Sequence, residues 1–528
     1  PSFSDATNDD YSLQSSSDGI DAGSATYAPA TDILGVTRPQ GAGDDVGCYE
    51  YLLNTWNGSS STVWSNAANW STGVVPANSE SIVIANVAND PVIDANDQVG
   101  SITIQSGGVL TINSSVTLTA SSVELQSSGD IVISNGELNC TGKFDHDGDL
   151  TMSGNGVLDI DGEYESSASA TEIISGGTIE VAGEWDGAND DAFTPTGGTV
   201  TMNNSADKNL AQHSGSNFFN LTIANSGGDV DVTAALDVDG DLTINASADL
   251  DVGGGNTNIE LAGNFTNNGT LTTSGESFTF DGSGDKTSSA ISDAALDVVI
   301  NKSSSGSVTF SGTCSFDEFT VTAGKAAMTS NTITADNTIS IADGAELEIG
   351  TGTFNADGAI NANTSGEIDF TGAGKLICSS SITSLGDLDH EAGTVEIDGA
   401  TTSIPTETFY NLSIKTAGTK QATGAITVEN DLTTASNHDE TLDGLTSAIN
   451  NVNARRAAIG SMINRLEFAV DNLSNVSQNA SASRSAILDA DYASETTELA
   501  RTQIIQQAAT AMLSQANQQA QSILALLK

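Results

Sequence analysis

Between about Thr55 and Ala435 the chain repeats one device. Four or five residues alternate apolar and polar, and then Gly, Asp, Asn or Ser turns the chain into the next run. "SITIQSGGVLTINSS", "GDLTMSGNGVLDIDG" and "ADGAELEIGTG" show the pattern. Alternation with a period of two is that of a strand with one buried face, and the turn residues tolerate positive φ. The runs themselves recur. "GGTVTM" (197–202) is followed by "FFNLTI" (218–223) and "GDLTI" (240–244), which places Val200, Leu221 and Leu242 at equivalent positions. "SFTF" (277–280), "LDVVI" (296–300) and "DEFTV" (317–321) repeat the series, as do "AGTVEI" (392–397), "FYNLSI" (409–414) and "NDLTT" (430–434). A beat of roughly 20 residues is the length of one solenoid coil, whose apolar face is buried only by stacking on the next. A string of antiparallel sandwiches would show strands at similar density, but gives no reason for that beat. The predicted class is therefore mainly β, a parallel β-helix or β-solenoid body, with an α-helical tail.

The tail is a different material. Of 15 Lys+Arg and 69 Asp+Glu, residues 441–528 hold 6 and 7, which leaves 9 and 62 for everything before them. The body thus carries a net charge of −53 and the tail −1. Only Gly444 and Gly460 of 53 glycines lie beyond residue 440, and no Pro follows Pro405. A surface this acidic repels nucleic acid and anionic membranes. No apolar run approaches the ~20 residues of a membrane span, so neither nucleic acid nor membrane insertion is expected.

Residues 1–52 differ from both parts. "SDGIDAGSATYAPATDILGVTRPQGAGDDVGCYEY" resembles the closing coil of secreted right-handed parallel β-helix proteins over about residues 14–51. Cys48 stands where that pattern usually has a small residue such as Ala. The resemblance implies that residues 1–52 end a β-helix begun upstream, with 53–438 forming the solenoid proper.

Chemistry is hard to find in the body. Its four His (His146, His213, His390, His438) are scattered, and no carboxylate pair stands out among 62 acids. No catalytic residues are therefore assigned, and an enzyme is not expected. Cys140 and Cys378 sit in alternating runs and read as buried thiols; the four Cys fit no metal-ligand spacing. Asp-x-Asp-Gly-Asp strings at Asp145, Asp147, Asp149 and at Asp237, Asp239, Asp241 leave two readings open. One is a strand entering an Asp-Gly turn; the other is an oxygen-rich Ca²⁺ site, though Gly falls at the fourth position and not the sixth of an EF-hand loop. No other cofactor is expected. "WNGSSSTVWSNAANW", with Trp56, Trp64 and Trp70, reads either as a core cap or as a glycan-binding platform.

From Asp439 the period changes. Leu442, Leu445, Ile449, Val452, Ile459, Ile463, Leu466, Val470 and Leu473 recur at steps of three and four, with Arg456 in the one missing slot. This is a coiled-coil seam of four heptads, and it needs a partner helix. A second helix is predicted from about Ala493, carrying Ile504, Ile505, Leu513, Ile523 and Leu524, with Asp489 or Asp491 as its cap. A helix of that length and polarity is not stable alone in water.

"NRLEFAVDNLSNVSQNASASRSAILDADYASETTELARTQIIQQAATAMLSQANQQAQSILALLK" resembles the C-terminal conserved region of bacterial flagellin, including "DADYA", "QIIQQA" and "LSQANQ". The resemblance covers residues 441–528. It implies an outer-tube helix over 439–490 and an inner-tube helix over 491–528, with a spoke near 488–492. It also implies a secreted, self-assembling helical polymer of the bacterial flagellum that serves motility. The partners implied are other copies of the chain and flagellin N-terminal helices, which this sequence lacks. The acidic solenoid would then be the variable insert displayed on the filament. The assembly interface is expected at Leu445, Ile449, Val452, Ile459, Ile463, Leu466 and Val470, and at Ile504, Ile505, Leu513, Ile523 and Leu524. A surface adhesin that binds glycans on a flagellin-like stalk is the alternative.

Overall fold

The computed structural model describes the chain except residues 1, 6–9, 14–16, 40–42, 114, 191, 255–256, 304–305, 400–401, 416–419, 435–438 and 527–528, and leaves aside the side chains of 4–5, 10, 434, 439–445, 447 and 489–490. It divides into two compact units, Pro1–Ala435 and Ser436–Lys528.

The first unit is a parallel β-solenoid. Every paired strand from Asn54 to Thr434 runs parallel to its partner, in ladders that include one sheet of 11 strands and one of 7. Antiparallel sandwiches are thereby excluded. The sequence beat is the stacking vector itself. Val200 pairs with Leu221 and Leu221 with Leu242; Phe278 pairs with Val298 and Val298 with Phe319; Val395 pairs with Leu412 and Leu412 with Leu432. Each such step returns the chain to the same face one coil higher. Alternation then sends every second side chain into one continuous core of Leu, Ile, Val and Phe. Like side chains stack on like: Phe144, Tyr164 and Trp185 are register partners, with ring centroids 5.9 and 4.1 Å apart.

The corners stack as well. Gly142, Gly162 and Gly183 lie one above another, and a Cβ on Gly162 would fall 2.3 Å from the Gly142 carbonyl carbon. Backbone cannot yield there as a side-chain end would, so Gly162→Ala is expected to destabilise the solenoid by about 1–3 kcal/mol, read as a lower denaturant midpoint. An unchanged midpoint would show that the corners do not stack this closely.

The segment ahead of the first coil is held by polar groups. Asp32 accepts hydrogen bonds from the amides of Leu34 and Val36 (both 2.8 Å) and of Glu50 (3.1 Å). Buried Arg38 donates to the carbonyls of Asp45 and Gly47, and its Nε lies 3.5 Å from Glu50 Oε2. Gly35 and Gly47 take φ of +86° and +123°. The residues that carry the β-helix resemblance are therefore the ones that tie this segment together.

The second unit is one α-helix, Asp439–Ala525, 87 residues long and so about 130 Å. The division expected near 488–492 is not present. "ILDADYASE" contains neither Gly nor Pro, and capping residues such as Asp end a helix only where tertiary context holds the chain off helical geometry. No described helix is long and apolar enough to cross a membrane.

Candidate assembly surface

Helix formation here follows from composition: Ala, Gln, Leu and Arg carry small helix penalties. Thr496 and Thr497 turn their hydroxyls back to the carbonyls of Tyr492 (2.7 Å) and Ala493 (2.6 Å). What the helix lacks is cover. Ile449, Val452, Ile459, Ile463, Leu466 and Val470 keep 51–62% of their surface exposed, and Ile504, Ile505, Leu513, Ile523 and Leu524 keep 54–73%. Phe468 and Tyr492 are more exposed still. The side chain of Leu445, and those of Leu442 and Asp489, lie outside the described residues. Every described residue of the predicted interface is therefore on the surface. A long helix normally draws most of its stability from burying its apolar face, and these described side chains are exposed.

The solenoid presents acids in place of grease. Outward carboxylates sit one coil apart, about 4.8 Å, and raise one another's affinity for protons. Burial, then Asp239, Glu260 and Asp281, pushes Asp237 up to about 6. Burial, then Glu346 and Asp389, does the same to Asp369. Lys325 is clamped between Glu346 (2.6 Å) and Glu348 (2.7 Å).

The two Asp-x-Asp-Gly-Asp strings are spread around corners. Asp145 lies on the strand Phe144–His146 and Asp149 opens the strand Asp149–Ser153 of a different sheet, with the bend at 147–148 between them. Asp239 accepts from the Asn217 side chain, and Asp241 accepts from the backbone and side-chain nitrogens of Asn264 at 2.8 and 2.9 Å. Among the described residues, the carboxylates that come close enough to share an ion are instead Asp229, Asp231 and Asp251, and Glu346, Glu348 and Asp369. Pairing across coils brings these sets together, so no local spacing could reveal them.

The Trp trio faces inward. Trp56, Trp64 and Trp70 are at most 2% exposed, and Trp70 meets each of the other two edge-on. Each indole N–H is satisfied, by Asn89 O (2.7 Å), Asp97 Oδ2 (2.5 Å) and Trp64 O (3.0 Å). They cap the first coils of the core, and a glycan platform at these rings is excluded because no ring face is open. Cys140, Cys314 and Cys378 are free and buried, and Cys48 is free and exposed.

Comparison with known proteins bears on both units. The family described as bacterial flagellin C-terminal helical region matches residues 442–527, and a domain family of unknown function matches 55–172. B-type flagellin of Pseudomonas aeruginosa is 42% identical over 98 residues, covering 19% of this chain and 20% of that protein. Polar flagellin A of Vibrio parahaemolyticus is 41% identical over 97 residues, 18% of this chain and 26% of the relative. Flagellin of Salmonella typhimurium is 31% identical over 209 residues, 39% of each. The chain thus spans between a fifth and two-fifths of the length of these relatives. No solved structure matches it. The exposed helix coincides with the family match almost residue for residue: following a parallel β-solenoid in sequence, the chain carries a helix that matches the bacterial flagellin C-terminal helical region.

Proposed function

We propose that the chain is a structural subunit of a flagellin-type filament, extracellular and serving motility, which polymerises through its C-terminal helix and displays the solenoid on the filament surface. The observation that carries this reading is the stripe from Ile449 to Leu524, more than half exposed throughout and lying within the flagellin match. Its partners would be copies of the same helix together with flagellin N-terminal helices. In the filament, packing against neighbouring helices would bend the helix near 488–492, where it runs unbroken in the single chain, so that residues 439–490 line an outer tube and 491–528 an inner one. Charge supports the placement: the near-neutral tail suits packing against many copies of itself, where like charges would accumulate. The strongly acidic body suits solvent, where it keeps neighbouring filaments apart. The segment before residue 53 would close coils that precede it.

Co-expression with the N-terminal helices of a matched flagellin tests the reading. Electron microscopy of negatively stained material is expected to show filaments carrying radial projections. A chain that stays monomeric in sedimentation and is excluded from the filaments overturns it.

A further inference from the structure

One group of titratable side chains lies buried inside the solenoid. His146 Nε2 sits 2.8 Å from Glu172 Oε1, with both side chains fully buried. The Tyr164 hydroxyl donates to the same oxygen at 3.4 Å. Asp190, also fully buried, faces Glu172 and the Ser166 hydroxyl; with both carboxyls ionised, neither its Oδ2 nor Glu172 Oε2 has a donor, and His146 Nδ1 has no partner. Among the described residues, no Lys or Arg reaches this cluster to compensate its charge. Lys143 is engaged on the outer surface with Glu165 and Asp145 (3.6 Å). Asp145, Asp147 and Asp149 flank His146 on its own coil. The next coil contributes the amide of Gln212 and the hydroxyl of Ser216, which donates to the Asp190 carbonyl. Two carboxylates cannot both ionise in a dry pocket without a cation.

We propose that Glu172 and Asp190 trap one shared proton inside the coils spanning residues 144–218, and that its loss in alkaline solution opens this stretch of the solenoid before its neighbours. The direction follows from the environment of each group. Burial pushes Glu172 up to about 7 and Asp190 up to about 6. Both carboxyls thus bind protons more tightly folded than unfolded, and their contribution to stability is present in acid and lost as pH rises through 6–7. His146, pushed down to about 4 by burial, acts in the opposite sense, costing stability as pH falls below 6.5 toward 4. The shared proton is lost near pH 7, above the range in which His146 imposes most of its cost, so the seam tightens as pH falls from 8 to 6.

Hydrogen–deuterium exchange of the full chain, read by mass spectrometry, tests this. After correction for intrinsic exchange, peptides covering 144–187 are expected to open about tenfold faster at pH 8.5 than at pH 6, and Glu172→Gln is expected to remove that acceleration. Peptides covering 236–261, next to the separate Asp237 ladder, should keep their own pH response in the variant. A variant whose 144–187 peptides respond to pH as the parent does overturns the proposal. Should Glu172→Gln fail to fold, infrared spectroscopy of the unaltered protein decides. A protonated-carboxyl band at pH 6 that fades by pH 8.5 together with the onset of exchange in 144–187 supports the shared proton; fading without that coincidence overturns it.

Discussion

Removing residues 493–528 is expected to abolish filament assembly while the far-ultraviolet circular dichroism of the β-solenoid stays unchanged. The solenoid forms a compact unit ending at Ala435, with its own continuous core, so its folding does not depend on the deleted segment. A sharper version changes one side chain. Leu466 is 62% exposed, so Leu466→Asp alters little in the monomer. Once neighbouring helices close over it, the same carboxylate is desolvated without a partner, at a cost of about 3 kcal/mol for each subunit added. That is more than a hundredfold in the association constant. Sedimentation should find the variant monomeric at concentrations where the parent polymerises. A variant that polymerises like the parent would remove the stripe from the interface and the proposed function with it.

Much of this was legible in advance because stacking translates sequence distance directly into spatial neighbourhood. The spacing of "GGTVTM", "FFNLTI" and "GDLTI" is the register in which Val200, Leu221 and Leu242 pair. The helical stripe was equally plain, since heptads need no tertiary information. The inner cluster was not. Glu172 is well separated along the chain from both His146 and Asp190, and nothing distinguishes these acids from the others of the body until the coils are stacked. A faint signal existed: Phe144, Tyr164 and Trp185 recur at the coil length and mark an aromatic column whose neighbours also face inward. The helix runs unbroken through 488–492 because Asp489 and Asp491 cap a helix only if something bends the chain there.

The same logic separates two aromatic residues of equal size. Phe319 is fully buried, paired between Val298 and Ile339, stacked on Phe316 at 5.6 Å and packed near Phe310 and Phe354 at 6.2 and 5.6 Å. Phe319→Ala should therefore cost about 3–5 kcal/mol, transfer and cavity together. Phe468, 76% exposed on the helix, should cost the monomer nothing measurable when changed to Ala. In a solenoid each coil leans only on its neighbours. The Phe319 lesion is therefore expected to uncouple the stack, so that thermal unfolding splits into two calorimetric transitions. A single transition shifted by less than the equivalent of about 1 kcal/mol would mean that this column does not bear on the coils above and below it. The continuity of the core from the Trp cap to the last coils would then be lost as an explanation of why so polar a chain folds at all.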